Sequence, residues 1–230
     1  MLKLKYNTNI RVFCRQKQNI YRNGVLFKWI SSLIRQLQEP YIAIILKEIL
    51  QALYYLHFNQ KMHRDIKAAN ILIHKNGTIK LCDFGVSSNT TSSFQKLQTF
   101  VGTPYYMAPE VILNQEYDFK ADIWSLGITT IEMATGKPPH YDQKPQVAMK
   151  KIINEESPIL EGNLSKQLKN FISCCLKKQP EQRHSAEQLL NHNFIKLAKK
   201  PSYLLDLLDI DISQKKVLQC QKVNKQGQIQ

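Results

Sequence analysis

From Pro40 onward the apolar residues recur at helical spacing. Ile42, Ile45, Leu46, Ile49, Leu53 and Leu56 share one face, and Pro40 occupies a first turn, where its missing N–H costs nothing. The pattern predicts a buried helix. Two β-prone runs, 70–73 and 78–81, flank His74-Lys75-Asn76-Gly77, and an Asn-Gly pair in that setting predicts a hairpin. The Ser/Thr-rich stretch 87–93 has too little apolar content for a core and reads as a loop. Residues 122–135 are apolar nearly all round, so a helix at the centre of a domain is predicted, closed by Gly136-Lys137-Pro138-Pro139. Two more helical patterns follow, over 164–176 and 185–190, the second with Ser185 as N-cap. After about Lys199 the chain turns to Lys, Gln and Asn, with Leu204, Leu205, Leu207 and Leu208 forming one short docking helix before a polar end. Nothing before Val25 predicts an element, and the apolar spacing of the first 38 residues is irregular. The sum is a helical domain with one small hairpin.

Composition changes this picture little. The 230 residues are 43% hydrophobic and 22% charged, ordinary for a globular chain. No run of about 18 apolar residues occurs, so no membrane span is predicted. Cys14, Cys82, Cys174, Cys175 and Cys220 form no C-x-x-C pair, which points to a reduced, cytoplasmic setting and to neither a zinc site nor a disulfide framework. The net charge of +14 favours anionic partners, yet the basic residues are spread along the chain. No nucleic-acid recognition motif or aromatic interleaving accompanies them, so no specific nucleic-acid partner is implied. The first 38 residues stand apart, with eight Lys/Arg, one Gly and no acid.

The residues with chemical capacity cluster around the hairpin. His63-Arg64-Asp65-Ile66-Lys67-Ala68-Ala69-Asn70 precedes it and Asp83-Phe84-Gly85 follows it. A hairpin between them folds two carboxylates, an amide and a lysine together. Carboxylate and amide oxygens are hard ligands of the kind Mg²⁺ takes alongside phosphate oxygens. A lysine beside them offsets the repulsion between carboxylate and phosphate. A carboxylate free of metal can accept the proton of an attacking hydroxyl. This set suits phosphoryl transfer, where positioning and charge stabilisation carry the rate.

The ordered set H-R-D-x-K-x-x-N, D-F-G and Ala108-Pro109-Glu110 resembles that of protein kinases, over a stretch from Gln38 to about Ile195. The resemblance implies an α+β protein-kinase-like fold, of which this chain holds the mainly α-helical C-terminal lobe with its small β-hairpin. It implies ATP and Mg²⁺ as cofactors, Asp65 as catalytic base, Lys67 on the transferred phosphate, Asn70 and Asp83 on the metal, and Leu72 under the adenine. Lys67, two residues after Asp65, is the serine/threonine form of this loop, and Thr103 matches the residue that favours a Ser or Thr substrate. Val101 through Glu110 resembles the sterile-20-like kinases, with Tyr105-Tyr106 in place of their usual Phe-Trp. The stretches 41–56, 111–127 and 200–209 resemble the germinal-centre-kinase branch. By the same resemblance Glu110 pairs with a buried Arg183, Asp122 holds the catalytic loop by its amides, and Arg64 meets a phosphate placed on Thr99. Protein substrates and an upstream kinase or scaffold are the implied partners.

The resemblance also predicts what should be missing. Kinases clamp ATP with a glycine-rich loop, a strand lysine and a helix glutamate. Before Gly77 the only glycine is Gly24, the first acid is Glu39, and no lysine lies in a V-A-I-K context. The expected organisation is therefore residues 1–38 unassigned, 39–196 the large lobe, and 197–230 a Lys/Gln-rich tail, with the N-terminal β lobe absent and 24–37 resembling a degraded form of the helix that joins the lobes. The expected function is transfer of the γ-phosphate of Mg-ATP to Ser or Thr of proteins, weak in this chain alone. The alternative is a non-catalytic docking module resembling a pseudokinase.

Overall fold

Helix α1 (Glu39–Phe58) is the axis on which the other elements gather. The computed structural model describes residues 27–33, 36–82 and 103–208. Pro40 sits in the first turn of α1, and Ile42, Ile45, Leu46, Ile49, Leu50 and Leu53 are almost fully buried. By length and composition α1 is the one described helix that could cross a membrane. It packs instead against the central helix, the C-terminal helices and the hairpin, as a core helix does.

The predicted hairpin forms as β2 (Ile71–His74) and β3 (Ile79–Leu81), with Ile71 opposite Leu81. Its turn needs glycine, since Gly77 has φ +83°. A Cβ at Gly77 would also overlap the Pro201 carbonyl of the C-terminal segment. A third strand, β1 (Phe27–Trp29), lies antiparallel on the other edge of β2, with Trp29 opposite Leu72. Residues 24–37 were expected to be a helical remnant. The described part of that stretch is β1 and a 3₁₀ turn over Ile30–Ser32. The open backbone groups of β2 draw residues 27–29 into pairing, and Ile30, Leu33 and Leu37 then bury in the core.

Beyond residue 102 come α2 (Pro109–Ile112) and α3 (Lys120–Thr135). Helix α3 is the predicted central helix, and Gly136, at φ 93°, ends it in the left-handed conformation. Gly127 lets α3 close on helix α5 (Lys166–Cys175), where a Cβ would come within 2.8 Å of the Cys175 Cβ. Helix α4 (Pro145–Asn154) packs beside α2, and Ser165 caps α5 by accepting the Leu168 N–H at 3.1 Å. Ser185 caps α6 (Ala186–Leu190) in a reciprocal box with Gln188. After α7 (Asn193–Lys196), a 3₁₀ turn at Pro201–Leu204 runs into a helical turn over 205–208, where the short docking helix was expected. Leu204 is fully buried there, and Tyr203 stacks on Tyr41 of α1 with ring centroids 5.7 Å apart. The architecture is α+β, a helical body with one small antiparallel sheet.

Candidate active site

The loop from Met62 to Asn70 carries no regular structure until Ala68, so its shape must be imposed from below. Asp122, in the first turn of α3, does this. Its Oδ2 accepts the His63 backbone N–H at 2.9 Å and its Oδ1 accepts that of Arg64 at 2.8 Å. Arg64 has φ +70°, a left-handed conformation that costs a non-glycine residue about 1–3 kcal/mol, and the two bonds to one carboxylate offset that strain. Asp122 is only 1% exposed. Burial pushes its carboxyl up, but hydrogen bonding and charge from His57, together with His63, outweigh this and leave it below the usual aspartate range.

His57 reaches the same carboxylate from the last turn of α1, with Nε2 3.0 Å from Oδ2. His63 is fully buried, and its Nε2 lies 3.0 Å from the Cys82 carbonyl. A carbonyl only accepts, so the proton is on Nε2, and Nδ1 is left to accept the Asp65 N–H at 3.3 Å. One histidine therefore ties the 62–70 loop to the end of β3.

On this support Asp65 sits about one-fifth exposed. Its Oδ2 accepts from Asn70 Nδ2 at 2.7 Å, and Lys67 Nζ lies 2.9 Å from Oδ1 and 2.7 Å from Oδ2. Lys67 also donates to Thr103 Oγ1 at 2.9 Å, which joins the loop to the segment entering α2. Asn70 Nδ2 makes a second bond, to the Asp65 carbonyl, at 2.7 Å. Two acceptors on one side fix the amide orientation, so Asn70 Oδ1 faces away from Asp65. Leu72 lies in β2 and is 3% exposed. Asp83 and Thr99 lie outside the described residues, as do the 87–93 loop, Cys14 and Cys220.

Arg64 extends its guanidinium toward Tyr117, 5.9 Å from the ring centroid. Glu110 and Arg183 meet in a bidentate pair, Nη1 to Oε1 at 2.6 Å and Nη2 to Oε2 at 2.8 Å. Arg183 also donates to the Lys177, Lys178 and Lys120 carbonyls and lies over Trp124, so the buried charge is fully satisfied.

Three supporting residues escaped the sequence reading. Glu132, on α3, accepts the Ala68 N–H at 3.2 Å, and its carboxyl is raised chiefly by burial. Tyr106 bonds Glu132, and burial followed by that carboxylate raises its phenol. An acid among the uncharged residues of the last two turns of α3 was the available signal for Glu132. His57 carried none, because its partner is 65 residues away.

A loop carboxylate held between an amide and a lysine, on a helical body with a small sheet, defines a phosphoryl-transfer scaffold of the kinase type. The model of the protein kinase domain family matches residues 9–195, and the chain belongs to that family. Its match begins inside the segment left unassigned above. The chain is 50% identical over 191 residues to the serine/threonine-protein kinase dst1 of Dictyostelium discoideum, covering 82% of this chain and 26% of that protein. It is 47% identical over 182 residues to the serine/threonine-protein kinase sid1 of Schizosaccharomyces pombe, covering 78% and 39%. With the serine/threonine-protein kinase KIC1 of Saccharomyces cerevisiae it shares 48% over 174 residues, covering 74% and 16%. By family it is a protein serine/threonine kinase of the sterile-20-like, germinal-centre-kinase type. It spans less than two-fifths of the length of these relatives.

Proposed function

We propose that this chain is the large lobe of a kinase that transfers the γ-phosphate of Mg-ATP to Ser or Thr of proteins. The observation that carries the reading is the Asp65 carboxylate held by Asn70 and Lys67, with Lys67 bridging to Thr103. In this reading residues 39–196 form the lobe, and residues 197–230 are a tail whose first part docks on it. Asp65 takes the proton of the substrate hydroxyl as its oxygen bonds to phosphorus and the ADP oxygen leaves. Lys67 meets the transferred phosphate, and Thr103 places the acceptor residue. Asn70 Oδ1 suits a magnesium ion, since it is a hard oxygen with no hydrogen-bond partner among the described residues. Asp83 would be the second ligand, and Leu72 the floor under the adenine. The bound metal would offset charge on the phosphates.

Phosphate on Thr99 would pair with Arg64 and order the segment before Thr103. A cytoplasmic setting belongs to this reading, supported by Cys174 and Cys175, both free thiols. Protein substrates and an upstream kinase or scaffold are its partners.

Residues 1–38 hold one glycine and no acid, so this chain lacks the usual grip on the β- and γ-phosphates. Misplacement of reacting groups by ~1 Å costs about 10²-fold, so transfer by this chain alone should be weak. The same observation favours a second reading, a non-catalytic docking module. The test incubates the purified chain with Mg²⁺, ATP labelled at the γ-phosphate and a Ser/Thr peptide library, beside Asp65→Asn and Thr99→Ala. Slow labelling that Asp65→Asn abolishes and Thr99→Ala reduces supports the kinase reading. Labelling that survives Asp65→Asn overturns the assigned base, and no labelling in any form leaves the docking module.

A further inference from the structure

The sheet sets an aromatic side chain beside the residue assigned to the adenine. Its register pairs Trp29 of β1 with Leu72 of β2, and Leu72 in turn with Lys80 of β3. Directly opposed residues project from the same face of a sheet, with Cβ atoms about 4.5–5.5 Å apart. Trp29, Leu72 and Lys80 therefore form one row. The opposite face carries Ile71, Ile73, Ile79 and Leu81, all of them in the core. Leu72 is only 3% exposed, yet among the described residues it stands outside that core. Its cover comes from its own face, where Trp29 and Lys80 are both half-buried.

Of these two neighbours, only Trp29 brings a flat apolar surface. An indole is a six-membered aromatic ring fused to a five-membered one, the same outline as a purine. A side chain of that shape on Leu72 excludes a base from the same surface, because close-packed groups cannot share a volume. The strand that carries it is short, three residues at the edge of the sheet. Just after it Ile30 is fully buried and Leu33 nearly so, which anchors that end of the segment. Lifting Trp29 breaks few ladder bonds and leaves the anchor in place, so the contact can open without unfolding the core. We infer that Trp29 is a built-in occupant of the purine site, covering Leu72 in the resting chain and leaving it when an adenine nucleotide enters. The inference rests on Leu72 being the floor under the adenine in the kinase reading. It adds a control on that site: only molecules whose Trp29 has swung away bind nucleotide, and the apparent affinity falls by that fraction.

The test is equilibrium dialysis of radiolabelled ADP with Mg²⁺ against the full chain, Trp29→Ala and Trp29→Phe. Trp29→Ala should bind about tenfold tighter or more, as expected where about one molecule in ten or fewer has the site open. Trp29→Phe, with its smaller ring, should fall between. A second measurement needs no variant that might fail to fold. The chain has two tryptophans, and the other, Trp124, is fully buried. Saturating Mg-ADP should therefore increase the quenching of the native chain's tryptophan emission by acrylamide, an increase that Trp29→Phe lacks. Weaker binding by Trp29→Ala overturns the inference, because the indole is then a platform for the base. Equal binding, or no binding by any form, overturns it too. Phosphate transfer is read on the same samples. Tighter binding without transfer leaves the occupant in place and removes the kinase reading, whereas transfer with equal binding removes the occupant alone.

Discussion

Asp122 shows how much one buried carboxylate can organise. It accepts from two consecutive backbone amides and from His57, and the loop it shapes carries Asp65, Lys67 and Asn70. Its folded-state acidity exceeds that of an unfolded aspartate, so its ionised form contributes stability above the unfolded pKa of about 3.9. That contribution is lost as pH falls below about 3.9, through the lower pKa of the folded state. Asp122→Asn should cost about 2 kcal/mol or more near neutral pH, since bonds to a charged acceptor are exchanged for weaker ones. Urea unfolding of both proteins at neutral pH and near pH 3 checks the sign, and the gap between them should narrow in acid. A gap that widens on acidification would contradict the lowered pKa. Glu110 is a different kind of buried acid, because its partner is a permanent cation and the pair would cost about 3–5 kcal/mol to split.

At the scale of elements, the fold depends on close approach as much as on apolar pattern. Helix propensity alone favours Ala over Gly at an interior position by about 1 kcal/mol. At Gly127, however, an added methyl would lie 2.7 Å from Leu176 Cδ2 and 2.8 Å from the Cys175 Cβ. The backbone of α5 cannot yield as a flexible side-chain tip would. Gly127→Ala should therefore destabilise the protein by about 1–3 kcal/mol, against its propensity, as overpacking does. Chemical denaturation measures this, and a stabilised variant would mean that α3 and α5 are not held at the described distance. The third strand is a second consequence of packing. Phe27-Lys28-Trp29 alternates apolar and polar, but three residues are too few to specify a strand, and pairing with the edge of β2 makes them β1.

Across the whole molecule, the segment after α7 joins two distant parts. Pro201 closes over Gly77 in the hairpin turn, Tyr203 stacks on Tyr41 at the start of α1, and Leu204 is buried without remainder. The hairpin it covers lies between Asn70 and Cys82, so the tail braces the element that links both halves of the candidate site. Burying one leucine contributes about 1.5–3 kcal/mol. Cutting the chain after Lys196 should lower the melting temperature by roughly 4–12 °C. Differential scanning fluorimetry of the full and shortened chains checks it, and equal melting would show that the tail adds nothing to the folded state.

Local chemistry made much of this protein legible from its residues. Pro40 and the face from Ile42 to Leu56 specify α1, Asn76-Gly77 specifies a turn that only positive φ can close, and Ser185 with Gln188 specifies the start of α6. The order of H-R-D, D-F-G and A-P-E identified the family, because each motif packs its chemistry into a few adjacent positions. The tertiary structure alone decided what distant side chains do. His57 and Asp122 meet across 65 residues of chain, Glu132 reaches the Ala68 amide across 64, and Gly77 meets Pro201 only because both ends fold onto α1. No period or spacing encodes such meetings. Burial sets their strength and the helix axes set their geometry, and both exist only once the core has formed.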